Sequence, residues 1–320
     1  MVRSTSMRNS GAPAAIVLAL AGCAAPQAVS PTWDPEATLA ARPRIMWIAA
    51  HGDDEALTGG LLAKACVHDR LPCHFLVMNR DAGAECALED GCKPKITEVR
   101  HREMVHATRL YRATLEQYDF FNAPLPVESF PTRQKLEQIW MKEGDPAGLI
   151  ARSVRRFRPD VVVTLDPYHG FTDHPEHGAT ARFALAGIRL AAASQGERSL
   201  FRDEPAHRVG TVWQVQNKYW FMKLSGDDAD PMPFDATFDP LQPCDVTREG
   251  RARSCRDVRD DASNMHRSQA SDMGGVRAVA TFWSEVYLRR MDPFGSEAST
   301  LVAELGNGAR AELAGAGPQS

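Results

Sequence analysis

The chain has 320 residues, of which 43% are hydrophobic and 24% charged, with a net charge of −4. That balance leaves no broad basic field and so excludes a nucleic-acid partner held by charge. The length suffices for one large domain with its own core, or at most two.

Arg3 and Arg8 give a positively charged start, and Ala14–Leu20 is a short apolar run. The run is far below the roughly 20 residues that span a bilayer, so the segment reads as an export signal. Leu20-Ala21-Gly22-Cys23 resembles the lipobox of bacterial lipoproteins, in which residues 1–22 are removed and Cys23 becomes the lipidated first residue. An ordinary secretory signal with a chance Cys is the alternative. Acyl chains on Cys23 would anchor a folded domain to a membrane. Ala24 after the Cys points, by analogy with known sorting rules, to the outer membrane of a bacterial envelope. The domain would then face the periplasm or the cell surface. Residues 23–42 are rich in Pro and Ala and read as a tether. The folded domain is expected over residues 43–305.

Arg44–Ala50 has the length and composition of a buried strand, and Ala56–Val67 is a helical segment with a Gly59-Gly60 pair. Between them, His51-Gly52-Asp53-Asp54-Glu55 puts one imidazole and three carboxylates on a strand-to-helix turn. Open α/β sheets gather their active sites at such turns. Burying adjacent unpaired acids is costly, and a metal cation would offset their repulsion. The alternative is a solvated loop with an N-capping Asp. A second strand, His74–Asn79, leads to Arg80, a candidate to reach a pocket at that edge or to form a surface ion pair. Helix Ile96–Ala113, strand Tyr118–Asn122 and helices Thr132–Lys142 and Pro146–Phe157 follow. The basic run Arg152–Arg158 is expected on a solvated helix face.

Strand Asp160–Leu165 opens a second cluster, Asp166-Pro167-Tyr168-His169-Gly170-Phe171-Thr172-Asp173-His174-Pro175-Glu176-His177. Asp173 is a candidate N-cap and Pro175 suits a first turn, so His174 and His177 would share one helix face. Helix His177–Ala193 and strand Thr211–Gln216 come next. Trp213, Tyr219, Trp220 and Phe221 suit strand-core packing, with stacking on a sugar as the alternative. Residues 223–262 read as a long surface excursion, and 306–320 as a disordered tail.

Setting Cys23 aside leaves six Cys, an even number that suits disulfides in an oxidising compartment. They fall in near pairs, and local pairing is the expectation: Cys66 with Cys73, Cys86 with Cys92, Cys244 with Cys255.

Strands alternating with helices imply an α/β, Rossmann-like, mainly parallel sheet with helices on both faces. Both acidic-histidine clusters follow strands and would meet at one sheet edge. His51, Asp54 and His177 then supply two neutral nitrogens and one carboxylate. That set suits Zn²⁺ in a catalytic site, with the fourth position left to water.

At this point the chain resembles the LmbE-like, or PIG-L, family of zinc-dependent sugar N-deacetylases. The family pattern A-H-P-D-D-E stands here as Ala50–Glu55, its Gly-Gly helix at Gly59-Gly60, and its H-P-D-H as His174–His177. Val99-Arg100-His101-Arg102-Glu103 is similar to its V-R-x-x-E helix, and His266-Arg267-Ser268-Gln269 to its late H-x-S-Q element. The resemblance implies an LmbE-like fold with one Zn²⁺ per chain on His51, Asp54 and His177. It implies Asp53 as general base, His174 as a second catalytic imidazole, and Arg100 as a substrate contact. In the reaction read from these roles, protonated His174 would help stabilise the oxyanion, and Asp53 or His174 would protonate the departing amine. Arg80 and His266 are further substrate-binding candidates, and Glu55 is expected to support the metal ligands by hydrogen bonding.

Gly52 stands where the family has Pro, and Glu176 where it has Asp. Several relatives carry a Tyr just before the second motif; here Phe171 lies near that place, with Tyr168 or His169 as substitutes. The implied activity is that of an exported, lipid-anchored zinc amidohydrolase removing an N-acetyl group from an amino sugar, glycolipid or glycan. The alternatives are an envelope esterase or peptide amidase with the same zinc chemistry, and a glycan-binding lipoprotein with a vestigial metal site.

Overall fold

The computed structural model describes residues 34–124, 127–193, 204–217, 234–247, 250–270, 273 and 285–315. The export signal, Cys23 and most of the expected tether lie outside these residues, as do Tyr219, Trp220 and Phe221. Seven strands form the main sheet: β1 (Ile45–Ala49), β2 (Cys73–Val77), β3 (Thr114–Gln117), β4 (Val161–Leu165), β5 (Thr211–Gln216), β6 (Ala236–Phe238) and, after a separate hairpin, β9 (Val286–Met291). The hairpin is β7 (Pro243–Val246) with β8 (Ala252–Ser254). The order across the sheet is β3-β2-β1-β4-β5-β9-β6. The first five are parallel; β9 is added antiparallel to β5, and β6 pairs antiparallel with β9 and so runs with the first five.

β1, β2, β4 and β5 are buried at every residue. Strands buried on both faces need helices on both sides. One face carries Trp47, Phe75, Val163 and Trp213 under α2 (Glu55–Leu62), α3 (Ile96–Leu110) and α7 (Cys255–Ser263). The other carries Met46, Ile48 and Val162 under α4 (Arg133–Glu143), α5 (Pro146–Phe157) and α6 (Pro175–Ala192). The chain leaves β1 in one direction toward β2 and β3, and returns on the other side as β4 and β5. The switch point therefore lies between β1 and β4, which pair directly. Ligands of such sheets bind beyond the carboxyl ends at that point.

The Gly59-Gly60 pair has a packing reason. A Cβ on Gly59 would stand 2.5 Å from the Tyr111 hydroxyl, and one on Gly60 would stand 2.5 Å from Pro240 Cβ. Glycine lets α2 approach α3, α7 and the segment before β7 closely.

Several elements differ from the expectation. The third strand is Thr114–Gln117 rather than Tyr118–Asn122. As the edge of the sheet it carries one apolar residue, Leu115, among polar ones, whereas Phe120 beyond it packs beside Trp140. The expected tether already holds α1 (Pro35–Ala40), capped by Asp34 and buried at Leu39. Residues 223–262 are not a surface excursion throughout: β6 joins the sheet and α7 packs on α2. Arg155, expected on a solvated face, is buried and donates to the carbonyls of Ala191, Ala193 and Glu204. It thereby satisfies the open end of α6, which helices otherwise leave unpaired. The final helix, α8 (Ser296–Gly315), runs into the stretch expected to be a disordered tail. Its Ala, Glu and Leu content favours helix. The three local disulfides, Cys66–Cys73, Cys86–Cys92 and Cys244–Cys255, are formed as expected. Among the described residues no helix is long and apolar enough to cross a membrane.

Candidate metal centre and active site

His51 follows β1 in an extended conformation and caps a 3-10 turn, Gly52–Asp54. Asp54 folds back so that Oδ2 accepts from the backbone N–H groups of Ala50 and His51, at 3.1 and 2.9 Å. Its Oδ1 is left facing His51 Nδ1 at 3.5 Å and His177 Nε2 at 3.0 Å. The two imidazole nitrogens are themselves 3.1 Å apart. Both rings are held from behind: His51 Nε2 lies 2.8 Å from Glu176 Oε2, and His177 Nδ1 lies 2.7 Å from the Gly170 carbonyl. Those outer contacts take one ring N–H of each imidazole, so the inner nitrogens present lone pairs when the rings are neutral.

Two lone pairs and a carboxylate oxygen thus converge, and acceptors alone repel unless a positive charge lies among them. Ligand atoms around a tetrahedral Zn²⁺ with bonds of about 2.0–2.1 Å are roughly 3.3–3.4 Å apart, so the triangle has a fitting size. The electrostatics has the same sign. Burial by itself would keep His51 neutral, but Asp54 and Glu176 raise its pKa well above the usual value. Burial would push the Asp54 carboxyl up, yet the two imidazoles hold it well below its usual range. Two overlapping groups here could hold a metal ion: His51 with His174 and His177, and His51 with Asp53 and Asp54.

The loop before α6 is shaped to deliver His177. Gly170 has φ of +57°, and a Cβ there would meet Gly178 N and His177 Cβ at 2.6 Å each. Only glycine lets this carbonyl come so close to the His177 ring. Phe171 and Asp173 also have positive φ. The N-cap of α6 is His174, not Asp173: its Nδ1 accepts from the Glu176 N–H at 3.3 Å. The proton of a neutral His174 is therefore on Nε2. Burial, then the neighbouring His177 and His51, hold its pKa well below the usual value. A neutral ring held this way can donate from Nε2, where the sequence reading expected a protonated imidazole.

Asp53 is half-buried beside the cluster, and its Oδ2 accepts from Gln269 Nε2 at 2.5 Å. A cavity of about 260 Å³ opens over these groups, walled also by Leu57, Asp81, Arg100, Phe130, Thr172 and Met273. Arg100 is buried, stands 3.2 Å from Asp81 Oδ2 and donates to the Glu85 carbonyl at 3.0 Å. Burial is the main force lifting the Asp81 carboxyl to about 6, against the pull of His51 and Arg100.

Other candidates lie elsewhere. Arg80 is half-buried and does not line this cavity. His266 is 2% exposed and lies with Nε2 3.4 Å from Glu55 Oε1, so it is not in the cavity wall either. Glu55 accordingly faces His266 rather than a metal ligand, and burial raises its pKa. Tyr168 donates to Glu297, and His169 lies 3.6 Å from Asp173, both off the cavity wall. Sequence reasoning gave no role to Glu176, Asn79 or Asp81. Glu176 carried a readable signal, an acid between two candidate His; Asn79 ended a strand candidate and Asp81 only followed it.

Residues 46–188 match the family model described as PIG-L: GlcNAc-PI de-N-acetylase. The mycothiol S-conjugate amidase of Streptomyces coelicolor is 26% identical over 188 residues, covering 55% of this chain and 60% of that protein. The 1D-myo-inositol 2-acetamido-2-deoxy-alpha-D-glucopyranoside deacetylase of Mycobacterium leprae is 24% identical over 191 residues, 56% of this chain and 59% of that one. The chain therefore spans about 60% of the length of these curated relatives. The solved structure of N,N'-diacetylchitobiose deacetylase from Pyrococcus horikoshii has a TM-score of 0.52 at 15% identity, over 78% of this chain and 84% of that one. That likeness shows a shared fold.

Proposed function

We propose, from the premise that residues 46–188 form a PIG-L (LmbE-like) family domain, that the protein is a zinc-dependent N-deacetylase of amino-sugar substrates. The observation that carries the reading is the triangle of His51 Nδ1, His177 Nε2 and Asp54 Oδ1, with Asp53 beside it but turned to Gln269. Two nitrogens and one oxygen make a donor set that catalytic zinc sites use. A divalent cation held there supplies Lewis-acid polarisation of an amide carbonyl and a water of lowered pKa.

Asp53 accepts the proton of the attacking water as general base. His174 donates from Nε2 to the oxygen that gains charge in the tetrahedral adduct. The departing amine takes its proton back from Asp53, and amine and carboxylate leave without a covalent enzyme intermediate. Glu176 and Gly170 fix the rings of His51 and His177 during these steps. Arg100 and Asp81 offer charge-assisted hydrogen bonds to sugar hydroxyls at the cavity wall. At about 260 Å³ the cavity is small for a ligand site, whose usual range is roughly 300–1,000 Å³, so a single sugar unit suits the reacting position.

The proposal includes export and anchoring through Cys23 to a bacterial envelope membrane. The charged start, short apolar run and Leu20–Cys23 motif support it, as do three disulfides of the kind that persist in oxidising compartments. The substrate is then an N-acetylated sugar, glycolipid or glycan of the envelope.

The chain purified from Ala24 onward and loaded with Zn²⁺ is expected to release amine from N-acetylglucosamine conjugates. Asp53→Asn should lower kcat by about 10²–10⁴-fold, the usual worth of a general base. A protein that carries no divalent metal after gentle purification, and whose activity ignores chelators, would overturn the reading.

A further inference from the structure

We propose that the turn Arg267–Gln269 is the positioning element of Asp53, with Gln269 holding the carboxylate in the orientation from which it accepts a proton. The inference rests on Asp53 being the base.

Gln269 is 5% exposed, and its amide nitrogen stands 2.5 Å from Asp53 Oδ2. Among the described residues it is the side-chain hydrogen-bond partner of that carboxylate. The donor is itself immobilised. Ser268 donates from its backbone N–H and its hydroxyl to the two oxygens of Glu103, at 2.8 and 2.6 Å. The Ser268 carbonyl accepts from the Ala87 N–H at 2.8 Å. One turn away, His266 lies beside Glu55, and both are buried. Each polar residue of His266-x-Ser268-Gln269 thus meets a different acid: Glu55 on α2, Glu103 on α3, and Asp53 on the first turn.

The chemistry of the amide suits this task. A half-buried Asp side chain has rotamer freedom, and holding it still has an entropic cost. A short hydrogen bond to a carboxylate is among the strong ones. A Lys or Arg in that place would also fix Asp53, but its positive charge would lower the basicity of the carboxylate. The amide fixes it without charge, and Oδ1 remains as the proton-accepting oxygen. The partners are 216 residues apart. The chain beyond residue 188 therefore completes the catalytic centre as well as the sheet.

The test compares wild type, Gln269→Leu and Gln269→Asn by crystallography, steady-state kinetics and metal analysis. In Gln269→Leu the Asp53 side chain is expected to leave its orientation. The rate constant kcat should then fall roughly 10- to 100-fold while KM and metal content stay within about twofold. The double variant with Asp53→Asn should be no slower than Asp53→Asn alone, because Gln269 acts through Asp53. Gln269→Asn keeps the amide but shortens it, and gives an intermediate loss; it carries the test if the Leu variant does not fold. An Asp53 carboxylate that stays in place in both variants overturns the proposal, as do losses that multiply in the double variant. A wild type that hydrolyses no amide defeats the deacetylase reading instead, and the Asp53 orientation in the variants still decides this one.

Discussion

Glu176 has no solvent exposure and meets three donors: His51 Nε2 at 2.8 Å, Asn79 Nδ2 at 2.6 Å and the Ala123 N–H at 2.5 Å. It stands where the pattern the sequence resembles has Asp, and its longer side chain spans all three. Glu176→Asp, although it matches that pattern, shortens the reach by one methylene and frees His51 or strands a buried donor. Divalent-metal affinity should fall about 10- to 100-fold, as for other supports of metal-bound His. Competition with a chromophoric chelator measures it, and an unchanged affinity would mean that His51 is oriented by something else. Gly52, the other departure, is less consequential. His51 before it is already extended, with φ −116° and ψ 161°, the conformation a following Pro would demand. At this scale His51, Asp53, Asp54, His174 and His177 were legible because each lies in a short acidic-histidine cluster. The tie from Gln269 to Asp53 was not, because it forms only once α7 and the turn after it fold against α2 and α3.

The strands that were legible are the apolar ones. β1, β2, β4 and β5 are fully buried and read as continuous runs, while β3 and β9 mix charge into their pattern and did not. The charge on β3 has a structural task. Burial alone would raise the Glu116 carboxyl, but hydrogen bonds from His74, Tyr118 and Ser153, with the Arg156 charge, hold it at about 2, down from its ordinary 4.5. This network ties the β3 edge to β2 and α5. A folded-state pKa below the unfolded one gives stability that is present above the unfolded value and is lost as pH falls. The window here runs from about 4.5 down to about 2. Glu116→Gln should therefore be less stable than wild type at neutral pH, and the gap should close as pH falls through that window. Urea midpoints of both proteins at several pH values read this directly. A gap that stays constant with pH would show that Glu116 contributes no net charge-dependent stability.

Beyond the sheet, the molecule is organised by three short covalent loops. Cys66–Cys73 joins the end of the α2 segment to β2, Cys244–Cys255 joins β7 to α7, and Cys86–Cys92 closes a loop whose neighbours Ala84 and Glu85 line the cavity. Loops of this size contribute about 2–3 kcal/mol each in the chain-entropy account. Domains of this length stabilise at only about 5–15 kcal/mol, so losing all three is a large change. The disulfides and the proposed export are therefore one question. Made with its own leader in a bacterium that processes lipoproteins, the chain should partition with detergent-soluble membranes and show no free thiols. Cys23→Ser should release it from the membrane with its three disulfides intact. Made from Ala24 onward in a reducing cytoplasm, it should titrate as a thiol protein and unfold at a clearly lower temperature than the exported form. A Cys23→Ser chain that stays with the membrane removes the anchor. A reduced chain as stable as the oxidised one removes the stability argument for an oxidising compartment, and with it the structural support for export.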